Sequence, residues 1–87
     1  MRFEFDENKS DANRQKHGID FVEAQRLWSD EDFLVVPARS DDEHRYLAIG
    51  LIGVLHWAAV YTLRRNVIRI ISVRRAQREE RMNYESR

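Results

Sequence analysis

The sequence predicts an α+β fold, in which helices pack beside a mostly antiparallel sheet. Two patterns indicate this class. Helix-start signals are confined to the first third of the chain and to its end, whereas apolar, β-branched stretches separated by turn residues fill the centre. The predicted order of elements is β-α-α-β-β-β-β-α. The chain has 87 residues, and this length fits one domain spanning residues 1–87.

Two helices are predicted near the N-terminus, after a short alternating strand over residues 2–5. Asp6 suits the N-cap of a helix over Glu7–His17, because its carboxylate can accept the free N–H groups of the first turn. Gly18 fits the left-handed position that follows a helix. A second helix is expected to begin at Asp20. Its apolar stripe consists of Phe21, Ala24, Leu27 and Trp28.

Four more strands and a final helix are predicted in the rest of the chain. Pro37 ends the first of these strands, since proline cannot donate to a ladder. Gly53 marks the turn of a hairpin formed by the next two. The predicted ranges are 33–36, 45–52, 54–63 and 67–73 for the strands and 75–85 for the helix.

Charge is divided unevenly along the chain. Residues 1–43 carry six Lys and Arg against twelve Asp and Glu, whereas residues 44–87 carry nine against three. A basic, arginine-rich half suggests an anionic partner. The alternative is that the two halves pair with each other in the fold. Cysteine is absent from the sequence, which excludes a disulfide scaffold, a thiol nucleophile and a thiolate zinc site.

The uncharged stretch over residues 46–63 raises the question of a membrane span. Gly50, Gly53 and His56 interrupt it, and two buried strands joined by a hairpin explain it equally well. The N-terminus lacks the apolar core of a signal peptide. We therefore expect a cytoplasmic protein without a membrane partner.

The first predicted helix carries a polar, cationic face. Its members are Lys9, Asn13, Lys16 and His17, which follow i, i+4, i+7 and i+8 spacing. Such a face could contact phosphate, with the imidazole as a general acid or base. The alternative is a solvated surface helix whose last residue, His17, faces the helix dipole as a cation.

The last two predicted strands concentrate arginine. The members of this group are Arg64, Arg65, Arg69, Arg74 and Arg75. Guanidinium groups bind phosphate through two parallel hydrogen bonds, so the group indicates an anion-binding sheet. Strict strand alternation predicts that Arg69 and Arg75 share one side and that Arg74 lies on the other. The alternative is that these arginines pair with acidic residues of the first half.

Further candidates lie at the start of the hairpin and near the C-terminus. Glu43 and Arg45 form a possible acid–base pair, and Tyr84 could stack on a base or move a proton. A solvated cluster and a packed tyrosine are the alternatives. The histidines at 17, 44 and 56 lack metal-ligand spacing, so we expect no metal and no cofactor.

These residues together resemble the BrnT toxin family over nearly the whole chain. The matching positions in the first half are 3–6, Lys9, Asn13, 16–19, 21–24 and 43–45. Those in the second half are 49–50, 60–62, Arg64, 68–76, 80–81 and 84–85. Two positions depart from the family pattern, because Phe5 stands where Trp is common and Val73 where Ala is common.

The resemblance implies a RelE-like fold and a ribonuclease toxin of a type II toxin–antitoxin pair that arrests translation. It also implies a BrnA-like antitoxin that forms a heterotetramer with the toxin, two copies of each, and binds operator DNA. RNA can be cleaved without a metal because its 2′-hydroxyl is an internal nucleophile. An RNA- or ribosome-binding module without catalysis, or a protein-interaction module, is the alternative.

The resemblance also implies roles for individual residues. Arg64 and Arg74 would hold the scissile phosphate and stabilise the phosphorane. His17 or Glu43 would act as base or acid, and Tyr84 would assist. The residues expected to bind RNA are Lys9, Asn13, Lys16, Arg45, Arg65, Arg69 and Arg75.

Overall fold

Five strands form one sheet in the computed structural model, which describes residues 2–38 and 44–86. The strands are β1 (Arg2–Glu4), β2 (Leu34–Ala38), β3 (Arg45–Ile52), β4 (Leu55–Arg64) and β5 (Val67–Arg75). Their spatial order is β1-β5-β4-β3-β2, and only the β1–β5 pair among them is parallel. The predicted α+β class and the predicted order of elements are confirmed.

The first helix, α1, spans Glu7–His17 as predicted. Asp6 caps its start, because the Asp6 carboxylate accepts from the backbone N–H groups of Asn8 and Lys9 at 2.8 and 3.2 Å. Gly18 ends the helix in the left-handed region with φ 80°. Both ends are fixed by local contacts, which is why sequence alone located them.

The remaining helices are shorter than predicted. The second is a single turn, α2 (Phe21–Ala24), followed by a 3₁₀ segment over Gln25–Ser29. The last, α3, spans Arg78–Glu85 and begins behind a capping box formed by Gln77 and Glu80. The strand β5 extends two residues beyond its predicted end and includes Arg75, the first residue of the predicted helix.

Pro37 lies inside β2 and does not end it, contrary to the prediction. The strand is at the margin of the sheet and pairs only with β3, where Pro37 lies opposite Tyr46. A proline is compatible with an edge strand because the missing N–H can be one that would face solvent.

The two faces of the sheet are covered to different extents. One face packs under α2 and the 3₁₀ segment, and we call it the α2 face. Its buried core is formed by Phe21, Ala24, Leu27, Ala48, Trp57, Ala59, Tyr61, Ile68, Ile70 and Val73. On the other face, the α3 face, Tyr84 packs with Ile49, Ala58 and Ala76. Among the described residues, α3 is the helix that packs on this face, and its eight residues cover the face only in part.

A β-bulge in β5 decides which side chains reach each face. Val60 pairs with Ser72, but Tyr61 pairs with Ile70, so Ile71 is an extra residue in β5. The side-chain alternation therefore changes phase at Ile71. As a result, Val73 lies on the α2 face with Ile70, three residues before it.

A buried amide attaches α1 to the edge of β5. Beyond the last pair with β1, Glu4–Arg69, the Asn13 side chain takes the place of a strand. It accepts from the Val73 N–H at 3.1 Å, and it donates to the Val73 and Ile19 carbonyls at 2.9 and 2.8 Å. Ser10 supports the same contact by accepting from the Phe21 N–H at 2.9 Å. Hydrogen bonds to two buried polar side chains thus hold a helix that has almost no apolar face.

Among the described residues, the helices are too short or too polar to cross a membrane.

Replacing Asn13 should destabilise the fold. In Asn13→Ala the Val73 N–H and C=O and the Ile19 C=O lose their buried partner, so we expect a loss of about 2–4 kcal/mol in the free energy of unfolding. Urea denaturation measures it. Asn8→Ala, at an exposed site on the same helix, is the matched control and should change stability by less than about 0.5 kcal/mol. Equal losses in the two variants would contradict the structural role given to Asn13.

Candidate functional site

Arginines from three adjacent strands come together on the α3 face. Thr62 of β4 pairs with Arg69 of β5. Arg45 of β3 lies one residue beyond the Tyr46–Tyr61 pair, which places it on the other side of Thr62. Side chains directly opposite each other on neighbouring strands have Cβ atoms about 4.5–5.5 Å apart. We call Arg45, Thr62 and Arg69 the arginine row.

The row is held in place by contacts on both sides. Thr62 is buried and donates to the His44 carbonyl at 2.7 Å, which fixes the chain next to Arg45. A guanidinium nitrogen of Arg69 lies 3.5 Å from a Glu4 carboxylate oxygen. The Nε of Arg45 is buried and has no hydrogen-bond partner among the described residues. The row therefore combines fixed backbone with guanidinium groups that retain donors.

A second cationic centre lies further along β5, where Arg74 binds Glu80 of α3. The two guanidinium ends of Arg74 donate to the two Glu80 oxygens at 2.8 and 2.9 Å, and Glu80 also accepts from the Gln77 N–H at 2.7 Å. The hydrogen bonds from Arg74 hold the pKa of Glu80 below its usual value, and the same contact raises the pKa of Arg74. We call this the Arg74–Glu80 pair.

The two centres are on one face but are well separated. Arg74 lies opposite Ala58 and Arg69 opposite Thr62, so the two positions are four residue steps apart along β4. At about 3.3 Å per residue this interval is about 13 Å. Arg64 is two residues further along the same face, about 20 Å from the position of Ala58. Arg64 and Arg74 therefore lie too far apart for both to bind one phosphate, as their predicted roles would require.

The bulge corrects the sides predicted for the β5 arginines. Arg74 lies on the α3 face with Arg69, because Ile71 shifts the alternation between them. Arg75 lies on the α2 face, with its Cζ 5.5 Å from the centre of the Trp57 ring. Arg65 lies in the turn between β4 and β5, exposed and with φ 53°. The structure thus separates Arg75 from the arginines with which the sequence grouped it.

The polar face predicted on α1 is only partly correct. Lys9 and Lys16 are exposed and His17 is half-buried at the end of the helix. Asn13 does not share this exposure, because its amide is buried and bonded to the backbone of Ile19 and Val73, a structural role that the sequence did not indicate. Spacing along the helix was read correctly, but the side that faces β5 was not recognised.

Tyr84 is an anchor for α3. Its side chain is buried on the α3 face, and its hydroxyl donates to an Asp30 carboxylate oxygen at 2.6 Å. Burial in the first place, and the Asp30 carboxylate in the second, raise the pKa of Tyr84 to about 12. Phenol groups with such a pKa transfer protons poorly near neutral pH, so this geometry does not support the predicted catalytic part.

The sequence did not indicate the role of Asp30, since residues 29–32 were interpreted only as a helix break. Its Oδ2 also accepts from the Leu51 N–H at 2.8 Å, just beyond the end of the β2–β3 pairing. Next to it, His56 contacts Glu85, the last residue of α3. These contacts position α3 at the sheet edge.

The remaining predicted site residue, Glu43, lies outside the described residues. Within residues 2–38 and 44–86, no group of three or more His, Asp or Glu side chains is arranged to hold a metal ion.

Comparison of the chain with models of protein families identifies its family. Residues 5–80 match the model of the BrnT ribonuclease toxins of type II toxin–antitoxin systems. The chain belongs to this family. A search of curated proteins found no match.

Family membership gives the α3 face a chemical context. BrnT members are ribonuclease toxins, which implies an RNA target and an antitoxin partner for this chain. An RNA strand is a polyanion, and guanidinium is the side-chain group best suited to bind its phosphates. The arginines of the α3 face are therefore the candidate RNA site of this BrnT chain.

Tyr84→Phe should lower stability in a pH-dependent way. The variant loses a hydrogen bond to a carboxylate, so we expect a loss of about 1.5–3 kcal/mol at neutral pH. The hydroxyl pKa is higher in the folded state than in the unfolded state, so its contribution is complete below pH 10 and disappears as the pH rises through about 12. Denaturation curves across this range measure the effect. Tyr46→Phe, on the α2 face, is the control, and a pH-independent difference between Tyr84→Phe and wild type would contradict the assignment.

Glu80→Ala should destabilise the α3 junction by about 1–3 kcal/mol, because Arg74 and the Gln77 N–H both lose their acceptor. The Glu80 pKa is lowered in the fold, so this stability is present above its ordinary value and is lost as the pH falls through the lowered one. Wild type and variant should therefore become more alike in acid. Glu79→Ala removes the neighbouring exposed carboxylate. If Glu79→Ala had an equal effect, only net charge would matter.

Proposed function

We propose that this BrnT chain is a metal-independent endoribonuclease that cleaves RNA on the α3 face and thereby inhibits translation in the cytoplasm. The observation that carries the proposal is the presence of Arg45, Arg64, Arg69 and Arg74 on one sheet face that α3 covers only in part. Preorganised guanidinium donors are suited to the charge that develops on a phosphorane.

The chemistry needs no group beyond the RNA and the chain itself. The 2′-hydroxyl attacks the adjacent phosphorus while a base removes its proton, and an acid protonates the departing 5′-oxygen. The P–O5′ bond breaks as the P–O2′ bond forms, which leaves a 2′,3′-cyclic phosphate and a 5′-hydroxyl. The arginines of the α3 face stabilise the extra negative charge.

His17, or failing it Glu43, is the proposed base or acid. His17 ends α1, which packs along the outer edge of β5 through Asn13. Lys9 and Lys16, exposed on α1, would extend the contact with RNA.

A BrnA-like antitoxin is the proposed partner. It would neutralise the toxin in a complex with two copies of each protein and would bind operator DNA through its own domain. The basic second half of the chain, and above all the arginines of the α3 face, offers such a partner complementary charge.

The decisive test is incubation of the purified chain with a defined RNA in the presence of EDTA, beside the same strand with 2′-deoxy nucleotides. We expect cleavage of the RNA alone and a 2′,3′-cyclic phosphate end. Because Arg64 and Arg74 are too far apart to hold one phosphate, replacing the one at the scissile phosphate by alanine should lower the rate by about 10²–10³, whereas replacing the other should mainly weaken binding of the RNA. Arg75→Ala, which removes the same charge from the α2 face, should have a smaller effect. Intact RNA with retained binding would instead support a module without catalysis, and wild-type rates in Arg64→Ala and Arg74→Ala would place the site elsewhere.

A further inference from the structure

We propose that the α3 face binds single-stranded RNA at two separate phosphates, one at the arginine row and one at the Arg74–Glu80 pair. The inference rests on the proposed function in taking RNA as the ligand. It adds that the substrate must extend over both centres, so that recognition depends on the length of the strand.

The arginine row is suited to a phosphate because its donors are incompletely used. Within residues 2–38 and 44–86, the one ion pair of Arg69 is a long contact to Glu4, at 3.5 Å, and the Glu4 side chain is 43% exposed. A phosphate oxygen can compete with a carboxylate held so loosely. The buried Nε of Arg45, without a partner among the described residues, would gain an acceptor from the same group.

The Arg74–Glu80 pair is suited to a phosphate for a different reason. Guanidinium has five N–H donors. Two bond Glu80 and one reaches the Arg75 carbonyl at 3.3 Å, which leaves two donors in a fixed orientation. Glu80 is itself fixed by the Gln77 N–H, so Arg74 is preorganised and need not be released in order to bind a second acceptor.

A single phosphate cannot satisfy both centres. They are four residue steps apart along β4, about 13 Å, whereas charge-assisted hydrogen bonds are only about 2.7–2.9 Å long. The strip between them contains Val60, Ile71 and Ser72, which are partly exposed. This strip offers sugar and base a surface without an opposing charge, and an extended strand would cross it.

Binding of 2′-O-methyl RNA, which cannot be cleaved, tests the inference. We would measure fluorescence anisotropy over a range of salt concentrations for a dinucleotide, which has one internal phosphate, and for longer oligonucleotides. The variants are Arg69→Ala, Arg74→Ala and their combination, with Arg69→Lys and Arg74→Lys as charge-preserving forms in case an alanine variant does not fold. Arg26→Ala removes an exposed charge from the 3₁₀ segment and is the matched control.

We expect affinity to rise steeply once the strand is long enough to reach both centres. For long strands, Arg69→Ala and Arg74→Ala should each weaken binding about tenfold and should each lower the salt slope by about 0.7. Their effects should add, because the sites are more than about 10 Å apart. For the dinucleotide, whose single phosphate occupies one centre at a time, each single variant should still bind at the remaining centre, and only the combined variant should lose both.

Two results would overturn the inference. One is a double variant that binds long strands no more weakly than either single variant, which would mean one shared phosphate. The other is an equal loss with Arg26→Ala, which would mean that only net charge is sensed. Because no bond is broken in this measurement, failure to cleave RNA would remove the proposed function while leaving the two-centre signature intact.

Discussion

The extra residue in β5 is the constraint on which the arrangement of charge depends. If β5 paired with β4 without the bulge, Ile71 would lie opposite Val60, which would place Arg74 opposite Trp57 on the α2 face and Arg75 on the α3 face. The bulge instead keeps Ile68, Ile70 and Val73 in one core while placing Arg69 and Arg74 on the opposite surface. The bulge therefore allows one strand to contribute both to a continuous apolar core and to a cationic face.

The same strand shows how polar side chains can complete a sheet. Beyond the short β1, the backbone of Val73 is satisfied by Asn13, and on the other side of the sheet the Leu51 N–H is satisfied by Asp30. Buried backbone groups must be paired, and in both places one side chain does what another strand would do. Each of these side chains also fixes a helix, since Asn13 belongs to α1 and Asp30 receives the Tyr84 hydroxyl of α3. The edges of the sheet therefore position both the N-terminal and the C-terminal helix.

Local signals were enough to predict much of the fold. The bounds of α1 follow from Asp6 and Gly18, whose effects extend over only a few residues. Features that depend on distant parts of the chain were missed. The phase change at Ile71 is a matter of register between β4 and β5, and the burial of Asn13 requires β5 to lie against α1. Neither the phase change nor the burial of Asn13 can be recognised from the spacing of residues in the sequence.

The candidate site, like the fold, was predicted only in part. Arginine content indicated an anion-binding sheet, and the structure brings Arg45 and Arg69 together on either side of Thr62. Tyr84 matched the family pattern equally well, yet its hydroxyl is directed at Asp30. A residue that matches the family pattern can therefore have a structural role or a chemical one, and the direction of its side chain distinguishes the two.

Internal carboxylates explain how so many cations coexist on the α3 face. The four guanidiniums on this face would repel one another, but Glu80 accepts both ends of Arg74 and Glu4 lies close to Arg69. The two contacts differ in kind. The Glu80 fork is short and largely shielded from solvent, whereas the Glu4 contact is long and wet, so it contributes little to stability. Glu80 thus fixes the orientation of Arg74. Glu4 partly neutralises the charge of Arg69 and can be displaced by a stronger acceptor. A face built in this way can be stable when empty and still favour a polyanion, because the phosphate replaces a weak contact at one end and adds to a strong one at the other.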